Sequence, residues 1–285
     1  MNYPNTRALA LLGNYLNERA DFAKAREIAV LTDLGLSKAA AMAQLVAASC
    51  GLDVEKNAAD RVLFQTYFLP AFKELDPSFY QQDAYYTCWE KAPVQEGNFC
   101  LKLLSYKPYE CFVWNDLKRG PNGEALAQIG FFSQEFVYPA VLENNRIWMS
   151  VTPNEIETMR APLRRAHGRV LTCGLGMGYF AFYASQKQEV HSVTVVERSA
   201  EAIALFSKYL LPRFPLAQKI RLVQADAFDF AAQETNLSLF DYLFVDLWRD
   251  VSDGLTLYKR FKALKSVQKK EWVDYWIEPT LQFYL

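Results

Sequence analysis

The chain has 285 residues, 51% of them apolar and 22% charged, with a net charge of −1, which suits one large or two to three small units around a sizeable core. No long basic run is present, so electrostatics give no sign of a nucleic-acid partner, and no uninterrupted apolar run is long enough to cross a bilayer. Five scattered cysteines without a C-x-x-C pair read as reduced, mostly buried thiols of a cytoplasmic protein. The N-terminus lacks the basic start, apolar stretch and cleavage site of a signal peptide. His167 and His191 are the only histidines, so no metal centre is expected.

Residues 1–76 read as a helical domain. Leu9, Leu12 and Leu16 recur at helical steps, and Phe22, Ile28 and Leu31 suggest a second helix. Ser37 is placed to cap an alanine-rich third helix that ends at Gly51, and a fourth stops before Pro70. The expected role of this unit is structural or dimerising, which allows a homo-oligomer.

Residues 77–165 change character. The runs 99–106 and 110–116 are rich in β-formers, and Pro121-Asn122-Gly123 marks a turn between flanking strands. Two further strands up to Val151 complete a small antiparallel unit. Asn154, with Glu157 three residues later, then reads as the cap of a helix that Pro162 interrupts or restarts.

Residues 166–285 alternate strand and helix, the pattern of a parallel α/β sheet with right-handed crossovers. The first strand, Val170-Leu171-Thr172-Cys173, runs into Gly174, Gly176 and Gly178 and then an aromatic helix. Such a turn lies at the carboxyl edge of the sheet, where ligands collect, and glycines let a ligand approach the main chain. The same turn also serves where strand and helix merely pack closely. The spacing G-x-G-x-G fits an adenosyl sulfonium cofactor. The dinucleotide pattern fails at Tyr179 and, counted from Gly176, starts two residues late, so a nicotinamide enzyme is a minor alternative.

Later strands bring acids to that edge. Glu197, nineteen residues after Gly178, is placed to accept hydrogen bonds from ribose hydroxyls, or to be a solvated strand end. Asp226 and Ala227 follow the third strand, where a carboxylate and a backbone N–H can read an adenine ring; Asp226 can equally cap the next helix. Asp246 ends the fourth strand within reach of an acceptor or of the cofactor's amino group. Asp250, Asp253 and Trp248 follow it, Asp253 as the expected helix cap. Tyr138, Trp148 and Glu155 are candidates for a roof over the pocket.

The region Val170–Asp246 resembles S-adenosylmethionine-dependent methyltransferases of Rossmann-like fold, and especially the spermidine synthase-like branch. The resemblance implies a methionine-binding loop at Gly174, Gly176 and Gly178, a ribose acid at Glu197, adenine contacts at Asp226–Ala227, and a strand-four acid at Asp246. It departs from the family at Thr172, where many methyltransferases carry an acid, and at Met177, where spermidine synthases do. The acceptor loop has Arg249 where those synthases place their second aspartate, with the acid at Asp250. Only 39 residues follow Asp246, enough for a helix and a fifth strand, which implies a sheet shortened at its far edge. The expected function is transfer, of a methyl group in the first instance, from S-adenosylmethionine, or a decarboxylated relative, to a small-molecule or protein acceptor, with Asp246 and Asp250 as the catalytic acids. A non-catalytic S-adenosylmethionine-binding scaffold and an aminopropyltransferase are the alternatives.

Overall fold

The computed structural model describes residues 3–89 and 92–285. The chain divides into two compact units, Met1–Gln82 with Leu104–Val137, and Asp83–Leu103 with Tyr138–Phe283. The β-rich span 77–165 is therefore shared between them, because the strands Phe99–Tyr106 and Phe136–Glu143 each carry the chain from one unit to the other.

In the first unit the helices Tyr3–Arg19, Ala25–Asp33, Lys38–Ser49 and Ala58–Leu63 form an alanine-lined core. Ser37 caps the third, its hydroxyl accepting from the Ala40 N–H at 3.2 Å, and Gly51 ends that segment at φ +78°. The second helix starts only at Ala25, so Phe22 falls in the preceding turn and is exposed, while Ile28 is buried. The fourth continues through Phe64–Phe68 as a π-helical turn. The strand Phe72–Glu74 runs parallel to Ile129–Phe131, which pairs antiparallel with Phe112–Val113. A hairpin joins Lys118–Arg119 to Ala125–Leu126 over the expected turn, with Gly123 at φ +84°.

The second unit is built on five parallel strands: β1 (Gly168–Cys173), β2 (Val190–Glu197), β3 (Ile220–Gln224), β4 (Tyr242–Val245) and β5 (Val273–Tyr275). Their order is β3-β2-β1-β4-β5, a Rossmann-like α/β sheet whose order reverses between β1 and β4. Helices cover both faces, so the inner strands are mostly apolar: Val170, Leu171, Val193, Val195, Phe244 and Val245 are fully buried. Phe180, on the helix after the glycine turn, stacks on Phe244 at 4.3 Å. The helix and fifth strand expected after Asp246 are Val251–Lys262 and β5.

Two local expectations shift. Thr152 rather than Asn154 stands at the N-cap position of the helix Pro153–Arg165, without a side-chain capping bond, because Pro153 takes the first helical position, where its missing N–H costs nothing. Glu157 accordingly closes no capping box and pairs with Arg160 at 2.8 Å. Pro162 sits inside this one continuous helix. His167 precedes β1, and His191 is a residue of β2 itself. Among the described residues no single helix is long and apolar enough to cross a membrane.

Candidate functional site

Backbone pairing at the carboxyl edge of the sheet sets the site. The ladder continues one step past each strand end: the N–H of Gly174 bonds to Val196 O at 2.9 Å, that of Asp246 to Cys173 O at 2.8 Å, and that of Trp276 to Val245 O at 2.9 Å. The glycine turn, Asp246 and Trp276 are therefore held level by the register of β2, β1 and β4. A cleft of about 500 Å³ opens there, lined by Gly174, Gly176, Glu197, Asp226, Ala227 and Asp246 among others. That volume is in the range of small-molecule sites.

Each glycine of the turn has a positive φ, +99° at Gly174, +51° at Gly176 and +76° at Gly178, and each also faces protein. A Cβ on Gly174 would lie 1.9 Å from the carbonyl oxygen of Asp246, and one on Gly178 would lie 2.3 Å from the Phe206 ring. Gly174 and Gly178 are thus needed first to let the turn close against β4 and the helix Ala200–Tyr209. Gly174 and Gly176 line the cleft, while Gly178 does not.

Glu197 points at this turn. Its Oε2 accepts from the Leu175 N–H at 3.2 Å and its Oε1 from the Ser199 N–H at 2.8 Å. Each oxygen keeps a second lone pair for a hydroxyl in the cleft. Asp226 caps the helix Ala227–Ala232 with one oxygen, which accepts from Phe228 N at 2.8 Å and Asp229 N at 3.2 Å. Asp250 caps Val251–Lys262 by accepting from Ser252 N at 2.6 Å, is exposed, and does not line the cleft. Asp253, the expected cap, is instead the reciprocal member of that capping box and does line the cleft.

Asp246 and Glu155 differ from these acids. No hydrogen bond reaches either carboxyl group among the described residues, and both line the cleft. Asp246 is half-buried, and desolvation together with the negative charge of Glu197 pushes it up to about 7. Glu155 is only 7% exposed, and burial first, then the charge of Asp246, raises its carboxyl well above the usual range.

Aromatic groups complete the walls. Trp148, Trp248 and Trp276 all face the cleft, whereas Tyr138 is buried elsewhere. The Trp276 Nε1–H donates to the Thr158 hydroxyl at 2.9 Å, and the next residue, Ile277, is held at φ +48°, a strained conformation for a β-branched side chain. Sequence reasoning missed Trp276; its signal is its position directly after β5, matching that of Asp246 after β4. It also missed the segment 83–89. There the Tyr85 hydroxyl donates to the Met177 carbonyl, and Asp83 receives the hydroxyls of Tyr179 at 2.8 Å and Tyr183 at 2.5 Å. These bonds fasten the glycine turn from behind, and nothing in their spacing announces it.

No family model matches the chain, and no curated protein matches it. Among solved structures it is similar to a spermidine synthase crystallised with the transition-state analogue AdoDATO, at 15% identity and TM-score 0.31, over 61% of this chain and 51% of that one. It is also similar to spermidine synthase from Thermotoga maritima, at 14% identity and TM-score 0.31, over 62% of each chain. The chain thus spans between half and two thirds of these structures' own length, and likeness at this level assigns no activity.

Proposed function

We propose that the second unit binds S-adenosylmethionine, or a decarboxylated relative, and transfers a group from it, most simply a methyl group, to a small acceptor bearing an N–H or O–H. The observation that carries this reading is the cleft itself: a glycine turn with positive φ at three alternate positions, an acid at the end of β2 aimed at that turn, and a hydrogen-bond-free carboxyl at the end of β4. The residues fit such a guest. Gly174 and Gly176 present main chain to the cleft, Glu197 keeps acceptor capacity for a ribose, and Ala227 with the uncommitted oxygen of Asp226 suits an adenine edge. Five acids (Glu155, Glu197, Asp226, Asp246 and Asp253) against Arg198 and Arg249 favour a cationic guest.

When bound, a sulfonium cofactor supplies an activated alkyl group, so the protein's task is chiefly alignment. Positioning of this kind lowers a barrier by roughly 7–11 kcal/mol. Asp246 accepts the proton that the acceptor releases, a role that suits a carboxyl titrating near 7. Asp250 is committed to its helix, so the proposal assigns it capping and leaves the acceptor to Asp246. Met177, a buried side chain, is the position at which the resemblance would call for an acid in a spermidine synthase, which favours methyl over aminopropyl transfer.

The test is a thermal-shift panel with S-adenosylmethionine, S-adenosylhomocysteine, decarboxylated S-adenosylmethionine and NAD. Ligand at a hundred times its Kd is expected to stabilise by about 2.7 kcal/mol, and the effect should disappear in Glu197→Ala. Stabilisation by NAD alone overturns the reading. Binding without turnover of any amine, hydroxyl or thiol acceptor reduces it to a non-catalytic binding protein.

A further inference from the structure

Glu155 is out of place for an acid in its position. It occupies the third residue of the helix Pro153–Arg165, where a glutamate ordinarily reaches back to the capping residue's N–H. It makes no such bond. Instead it is turned inward, 7% exposed, to line both the open cleft and a narrow void of about 10 Å³ behind it, together with Asp246 and Thr172. That void has room for at most about one water. Asp246 lines the same void and is equally without a hydrogen-bond donor among the described residues. The other charged or titratable groups facing the two are Glu197, Asp226, Asp253, Arg198 and Arg249 on the cleft side, and Tyr179 on the void side; the Tyr179 hydroxyl is committed to Asp83. The helix N-terminus behind Glu155 supplies partial positive charge, but among the described residues no cation pairs with either carboxyl.

Two carboxylates lining one recess, with no donor to either among the described residues, repel each other when both are ionised. We infer that Glu155 and Asp246 hold one proton between them, with Glu155 the positioning residue that keeps Asp246 ready to take a second. The inference rests on the transferase reading for its purpose, though not for its test. A proton leaving an acceptor's N–H or O–H lands on Asp246, the pair passes from singly to doubly protonated, and the open side of the cleft returns that proton to solvent.

The experiment needs neither cofactor nor acceptor. Carboxyl infrared spectra of the full chain are recorded in steps from about pH 5 to pH 9, with isotope-labelled glutamate in one preparation and labelled aspartate in another. A shared proton moves the protonated-carboxyl band in both preparations, and the pH midpoint of that band falls by about one unit or more in Glu155→Gln. A band that shifts with only one label, or a midpoint that does not move in Glu155→Gln, overturns the pairing. Thermal unfolding followed from about pH 4 to pH 8 gives a second readout. A carboxyl pair raised in the folded state loses stability as pH climbs from the unfolded values toward the folded ones. The falling limb should therefore shift by about one pH unit or more in Glu155→Gln; superimposable curves overturn the inference. Failure of the ligand panel with success here would leave the pair intact and remove only its proposed use.

Discussion

Among the described residues two acidic side chains are more than nine-tenths buried, one in each unit, and they are treated in opposite ways. Asp60, in the helical unit, accepts from the Arg7 guanidinium at 3.1 Å and from the Asp53 N–H at 3.1 Å. Its charge is matched and its lone pairs are used, so it works as a staple between helices. Glu155, in the parallel-sheet unit, is buried as deeply and has neither a cation nor a donor. Burying a carboxyl without a partner is unfavourable by itself. The contrast teaches that the first unit spends its buried polarity on holding together, while the second keeps a destabilising group at the edge of a cleft. Such groups gather at functional sites.

The strongest way to break this contrast is through the glycines. Gly174→Ala places a methyl 1.9 Å from a backbone oxygen at φ +99°, and strain plus overpacking should lower the unfolding free energy by at least about 3 kcal/mol. Gly51→Ala in the helical unit also has a positive φ but meets nothing within 4 Å, so about 1 kcal/mol is expected. Equal losses in urea unfolding would show that the turn at Gly174 is not specially confined.

The carboxylates give the next largest effects. Asp60→Ala strips a buried acceptor from Arg7 and should cost about 2–3 kcal/mol, since Arg7 is itself partly exposed. Glu155→Gln should act in the reverse sense. The folded-state carboxyl is raised, so its burden is absent below the unfolded value and grows as pH rises. At about pH 8 the variant is expected to be more stable than the parent by about 1 kcal/mol or more, the worth of one pKa unit, and equal to it near pH 4. Destabilisation at pH 8 would place Glu155 beside Asp60 as a structural acid. Smallest of all, Asp250→Ala removes a helix cap and should cost about 1 kcal/mol while leaving S-adenosylmethionine affinity unchanged. A loss of affinity there would return Asp250 to the site.

Much of the site was legible from order along the chain. The strand, glycine turn and helix at 170–186, and the acids ending the later strands, are each local patterns, and a parallel sheet brings all strand ends to one edge. Glu197 and Asp246 could be named for that reason. Glu155 could only be suspected, because it lies on a helix outside the alternating pattern and its inward turn depends on Pro153 and Thr152 setting the helix start. Trp276 and the Tyr85 clasp escaped notice, since contacts between residues 118 and 92 positions apart leave no trace in spacing. Asp250 and Asp253 exchanged roles because two acids three residues apart at a helix start form a reciprocal box, and the sequence does not say which of them sits at the first position.

By itself, then, the sequence determined the periodic elements, the covering of the sheet on both faces and the glycine turn that opens it, because apolar period and backbone freedom are properties of neighbouring residues. Only the tertiary structure decided which acids keep a bare carboxyl and which spend it on a backbone N–H. That choice depends on desolvation and on the nearest donor, and both are set by parts of the chain far apart in sequence.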